Sequence, residues 1–163
     1  MVSFREEQRF EWFWNVVTVG PALLVGFGLY RQIFLHKPLM DEPGSSLLLW
    51  PAFAVTLATF IWFLGIRLVT EVREQNLWIR FYWLRPEHVI PWNEITKVEA
   101  ITYRPIRDFG GWGVRWAPRG ILYNTKGNRG VRIYLTSGRR VLVGSQRADE
   151  LAQAINARLS PKN

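Results

Sequence analysis

The pairing in this chain closest to acid–base chemistry is Glu87 beside His88, a carboxylate and an imidazole in consecutive positions. Consecutive side chains on an extended backbone point to opposite sides. The preceding Arg85-Pro86-Glu87 also reads as a turn, so His88 is expected as an exposed turn histidine and no catalytic residue is assigned. Asp149-Glu150 is a second acidic pair, but it stands at the start of a helical pattern, where carboxylates suit the positive end of the helix dipole. With no cysteine and only His36 and His88, far apart in sequence, the chain offers neither a thiolate nor a metal-ligand spacing. No metal is expected. The glycine-rich Phe109-Gly110-Gly111-Trp112-Gly113-Val114-Arg115 suggests a phosphate loop, yet it lacks the Gly-Lys-Ser/Thr ending and no helix pattern follows. It is read as a hairpin or bulge whose Trp112 and Trp116 either pack on the domain or dip into a lipid interface, and no cofactor is expected.

Charge is the feature that remains. Between Ile101 and Arg147 stand ten Lys/Arg and one acid, Asp108. Arg107, Arg115, Arg119, Arg129, Arg139 and Arg140 are the residues expected to contact either an anionic leaflet, where each basic residue near the surface gains about 1 kcal/mol, or acidic groups of a protein partner. Nucleic acid would answer the same charge, but no nucleic-acid-binding motif accompanies it, and none is expected as a partner.

These residues follow an apolar half. Ser45 to Ile66 is 22 residues without a charge, about 33 Å as a helix and long enough for a hydrocarbon core of about 30 Å. Trp12 to Tyr30 supplies a second span, extending to Leu35 if Arg31 snorkels. Glu6, Glu7 and Glu11 are wrong for a cleaved signal peptide, so the segment is expected to be retained. The connection through Pro38, Pro43 and Gly44 implies an antiparallel hairpin over residues 1–66, with Ala22 and Gly26 facing Ala54 and Ala58 as small residues that let helices approach. Contact of these four with another protein, or no role at all, are the alternatives. Arg5, Arg9, Arg67, Arg73, Arg80 and Arg85 flank the spans against Arg31 and Lys37 in the connection, which predicts both termini on the cytoplasmic side. Trp12, Trp14 and Trp62 would mark the inner interface, and Tyr30 and Trp50 the outer.

From residue 67 the pattern becomes alternating. Leu77, Ile79, Phe81 and Trp83 share one face, as do Val131, Ile133 and Leu135. Strands are expected near 67–73, 77–84, 95–103, 113–116, 119–124, 130–136 and 139–143, as an antiparallel meander. Ala148, Leu151, Ala152, Ile155 and Leu159 then line one face of a closing helix with Ser145 as its N-cap.

About seven short strands and one C-terminal helix resemble the pleckstrin-homology fold, and with two spans in front the chain resembles small membrane proteins carrying bacterial pleckstrin-homology-like domains. The residues that carry this are Ile90-Pro91-Trp92-Asn93-Glu94-Ile95, similar to that family's entry to its third strand, and Gly144-Ser145-Gln146-Arg147 with Glu150-Leu151 and Ile155. The resemblance covers roughly residues 67–159. It implies an α+β membrane protein: a two-helix transmembrane hairpin, then a cytoplasmic antiparallel β-barrel closed by one helix (67–163), at the bacterial inner membrane. In such barrels a headgroup binds between the first two strands; here that turn is taken as Glu74-Gln75-Asn76, without a basic cluster, which disfavours specific phosphoinositide recognition. The expected function is a non-enzymatic binding module, a scaffold or accessory subunit of a membrane assembly. A sensor of anionic headgroups is the alternative, and an enzyme the remaining one.

Overall fold

The computed structural model describes residues 2–10, 12–36, 45–118 and 120–159, with the side chains of 12–15 and 45–46 outside that description. The chain forms two compact units, 11–65 and the remainder, residues 1–10 with 66–163.

The first unit is a pair of apolar helices, α1 (Trp12–Phe34) and α2 (Ser45–Gly65), each containing a proline, Pro21 or Pro51. Both are long and apolar enough to cross a membrane. Their contact differs from the expected meeting of small residues. Ala22 and Gly26 are half-buried, but Ala54 and Ala58 are exposed; Ala52, Phe53, Thr56 and Phe60 form the half-buried side of α2. Gly26 leaves room for the Phe53 ring, 3.3 Å from where a Cβ would stand. A glycine notch thus receives a large ring, and Ala54, one position and about 100° further round, is turned outward. The Trp12 and Trp14 side chains and the Pro38–Gly44 connection lie outside the described residues.

The second unit is α+β. One sheet has the order β1-β2-β3-β4, formed by β1 (Phe4–Arg9), β2 (Arg67–Val72), β3 (Asn76–Tyr82) and β4 (Arg85–Pro91). After a single 3₁₀ turn come β5 (Ile95–Thr102), a short helix α3 (Pro105–Phe109), β6 (Gly113–Ala117), β7 (Gly120–Asn124), β8 (Arg129–Leu135) and β9 (Arg140–Gly144), which form the second sheet, and the chain closes with α4 (Ala148–Leu159). The second sheet has the order β5-β8-β9-β7-β6, and β7 runs parallel to β9. The strands therefore make two sheets with one parallel pairing, neither a meander nor a closed barrel.

All seven expected strands are present within one or two residues, and two more exist. Phe4–Arg9 pairs antiparallel with β2, Phe4 opposite Val72 and Arg9 opposite Arg67. The 55 residues of the helical unit are thus inserted between two neighbouring strands, and the β domain does not begin at residue 67. The connection between the first two strands is this insertion; Glu74-Gln75-Asn76 is the turn between the second and third. The other addition, β4, turns Arg85-Pro86-Glu87 from a turn into a strand start. β4 is an edge strand, where a proline without an N–H costs no ladder bond. One face assignment also changes: Leu77, Ile79 and Phe81 are fully buried, but Trp83 has left the strand and is exposed in the β3–β4 turn.

The core lies between the sheets and under α4, whose Ala148, Leu151, Ala152 and Ile155 are buried as expected. The helix packs against β5, β8 and β2. The Ser145 hydroxyl accepts from the Arg147 N–H at 3.0 Å, a cap-type bond just ahead of the helix. It also donates to Glu6 Oε2 at 2.5 Å, while Glu6 Oε1 accepts from the Gln146 N–H at 2.9 Å. Gln8 Nε2 donates to the Gly144 carbonyl at 2.8 Å. Strand β1 is therefore fastened by its inward polar side chains to the β9–α4 corner, across the two sheets.

Candidate functional site

Of the arginines expected on one basic face, Arg129 lies at one end of the second sheet and Arg139 and Arg140 at the other. Arg129 opens β8 where the pairing of Gly130 with Gly144 lies, and its Nη2 donates to both carboxylate oxygens of Asp149, at 3.0 and 2.8 Å. Its charge is committed to the first turn of α4. Arg139 and Arg140 lie at the far end of the β8–β9 hairpin, where Tyr134 pairs with Arg140. A seven-residue strand separates the two groups by about 20 Å. Arg115 and Arg107 are exposed on β6 and α3, and neither forms an ion pair among the described residues. Arg119 lies outside them.

The two tryptophans of the glycine-rich segment separate in the same way. Trp112 is half-buried and its indole N–H donates to the Gly127 carbonyl at 3.2 Å. Gly110, Gly111 and Gly113, at φ of 72°, 121° and 105°, supply the left-handed backbone that turns the chain from α3 into β6. Trp116 is 67% exposed, with the Arg85 guanidinium 4.3 Å from its ring centroid. Arg85 is 5.9 Å from the Tyr123 ring as well, so the start of β4 meets β6 and β7 here.

Beside this end is a cleft of about 140 Å³ lined by Phe109, Ala117, Ile121 and Leu142 with Arg132 and Arg140. Gly120 borders it because the β7–β9 approach leaves no room for a side chain: a Cβ would stand 1.8 Å from the Arg140 carbonyl oxygen. Arg140 is held with its guanidinium 5.2 Å from the Tyr134 ring centroid. Next to the cleft, Tyr103, Leu122 and Leu142 form a small cluster with Phe109 against it. The buried Tyr103 hydroxyl has no hydrogen-bond partner among the described residues, and burial raises its pKa.

His88 is half-buried in β4, not exposed in a turn, because the strand begins at Arg85. Its Nδ1 lies 3.0 Å from the Tyr123 hydroxyl. Burial, then the charges of Arg85 and Arg139, lowers its pKa from the ordinary value of 6.5. Glu87 points the other way and accepts from the Trp78 indole at 2.8 Å, so no Glu–His dyad forms. Asp108 accepts from the Arg104 backbone N–H at 2.9 Å, a structural bond at the start of α3. Among the described residues no group of three His, Asp or Glu comes together as a metal site.

Sequence reasoning missed Arg85 as the residue that joins the sheets at Trp116, since it reads there as a flanking charge and a turn residue. Arg85 opens the last strand of the first sheet and Trp116 lies in an edge strand of the second, so their contact depends on how the two sheets pack, which local patterning does not carry. Comparison with protein-family models and with curated proteins finds no match to the chain.

Proposed function

We propose that this chain is a non-enzymatic integral membrane protein whose β domain, of the pleckstrin-homology-like kind, serves on the cytoplasmic side as a binding module, a scaffold or accessory subunit of a membrane assembly. The observation that carries the reading is the pairing of Arg9 with Arg67 around the inserted apolar helices. A chain that leaves a sheet at one strand and returns at its neighbour must cross a bilayer an even number of times. Two helices of spanning length meet that requirement, and the excess of arginine on the domain side supports its cytoplasmic location. The two sheets, with α4 packed on both, support the likeness to the pleckstrin-homology fold. A second reading, contact with anionic lipid, is favoured by Arg139 and Arg140, which form no ion pair among the described residues.

The cysteine-free sequence makes the topology directly measurable. Single cysteines at Glu42 and Gln75 are treated in intact cells with a membrane-impermeant maleimide. Position 42 should label from outside and position 75 only after permeabilisation; the reverse pattern would overturn the orientation. A tagged chain extracted in mild detergent should bring a stoichiometric membrane partner, and release of that partner by Arg139→Glu with Arg140→Glu would place the contact at this end of the domain.

A further inference from the structure

The β3–β4 turn carries two unfavourable features for a protein surface in water. Trp83 sits at φ 66°, the left-handed region that a bulky side chain enters at a cost and that glycine or asparagine would occupy readily. It is also 69% exposed, and the next residue, Leu84, is 40% exposed. A short turn with a Leu84 N–H to Phe81 carbonyl bond of 3.2 Å needs neither an indole nor an isobutyl group. Backbone strain held at an exposed apolar turn points to a role outside the fold.

Strand register fixes where the turn lies. Arg9 is opposite Arg67, and Arg67 is opposite Tyr82. The residues just beyond these are Phe10, Ile66 and Trp83, so the turn is at the end of the sheet where the chain leaves for the apolar helices and returns from them. Phe10 stacks over Phe81 at 6.3 Å, keeping that exit against β3. The Glu74–Asn76 turn is at the opposite end, about 20 Å away along β3.

The surroundings are cationic. The Arg67 and Arg80 guanidinium groups each lie 4.4 Å from the Tyr82 ring centroid, Arg67 from the paired strand and Arg80 from the same strand, and Arg67 is also paired with Glu7 at 3.4 Å. Arg85 follows the turn and lies against the exposed Trp116. Neither Arg80 nor Arg85 forms an ion pair among the described residues. Tryptophan and leucine ringed by arginine is the composition that enters a lipid headgroup layer, the apolar groups below and the guanidinium groups at phosphate level.

We propose that Trp83 and Leu84 form a wedge that inserts into an anionic lipid leaflet, with Arg80 and Arg85 binding lipid phosphates. The wedge rests on the proposed function in one respect, that the apolar helices lie in a bilayer. It gives the domain a third point of attachment after its two chain connections.

The test uses the full chain in vesicles of phosphatidylcholine and phosphatidylglycerol, with single cysteines carrying a bimane fluorophore. Leu84→Cys, with Trp83 intact, should emit at shorter wavelength than Gln75→Cys and be quenched several-fold more by acyl-brominated phosphatidylcholine. Adding Trp83→Asn, which suits the left-handed backbone and so preserves the turn, should reduce that quenching, as should Arg80→Glu with Arg85→Glu. Val55→Cys on α2 reports the helices separately. Quenching at 55 with none at 84 overturns the wedge alone, and no quenching at 55 overturns the wedge together with the function on which it rests. A blue-shifted label at 84 that bromolipid leaves unquenched means a protein contact at this turn and also overturns the wedge.

Discussion

His88 shows how one side chain acquires a different character from its strand. The β4 backbone turns it toward Tyr123, and burial with Arg85 and Arg139 disfavours its charged form. Since its pKa is lower in the folded than in the unfolded state, the unfolded chain binds more protons in the interval below 6.5, and stability rises with pH across it. The contribution is complete above about pH 6.5 and is lost as pH falls toward the depressed folded value. Denaturation of the full chain in detergent between pH 7.5 and 5.5 should therefore show a loss that His88→Gln largely removes; an unchanged slope in the variant would assign the effect to other groups. This histidine was legible in the sequence as a residue that forms no dyad with Glu87, but not as a buried one. Its environment comes from β7, 35 positions away, and local patterning carries no information about a partner at that separation.

Among the elements, those with apolar alternation were readable and those without it were not. The buried faces of β3 and β8, and the stripe of α4, follow the hydrophobic periods of strand and helix. Strand β1 has the same alternation, but its inward residues after Phe4 are Glu6 and Gln8, so the period is hidden under mixed charge. These polar groups are tolerated because each is bonded: Glu6 to Ser145 and Gln146, Gln8 to Gly144 and Thr125. Satisfied buried groups of this kind fix one partner and one register, since a slip would leave them unpaired. Glu6→Ala should cost about 1–3 kcal/mol, the penalty for a buried donor left without an acceptor, measured by urea denaturation. Glu6→Gln should cost less, because an amide keeps one acceptor oxygen and the Ser145 hydroxyl can rotate to accept. Equal losses in the two variants would mean that the carboxylate charge, and not the bonding pattern, holds the strand.

At the scale of the molecule, the position of the helices in the chain defines what the domain is. Composition divides the sequence near residue 66, and that division is right for hydropathy but wrong for the fold, because strand pairing is blind to what lies between its partners. If β1 belongs to the domain, residues 67–163 alone lack an edge strand, the Glu6 carboxylate and the buried Phe4 ring. Loss of such a ring alone costs about 3–5 kcal/mol, a large part of a small domain's stability of roughly 5–15 kcal/mol. That fragment should be unfolded or aggregated. Arg9 and Arg67 are paired neighbours, so replacing residues 11–65 by Asn-Gly leaves Phe10 and Ile66 joined by the two-residue turn that antiparallel strands favour. This variant should be a soluble, cooperatively melting β domain, whereas the same variant lacking residues 1–9 should not. Cooperative folding of 67–163 by itself, with a melting temperature equal to that of the joined form, would show that β1 is an accessory to the domain and that the helices are an N-terminal attachment, not an insertion within it.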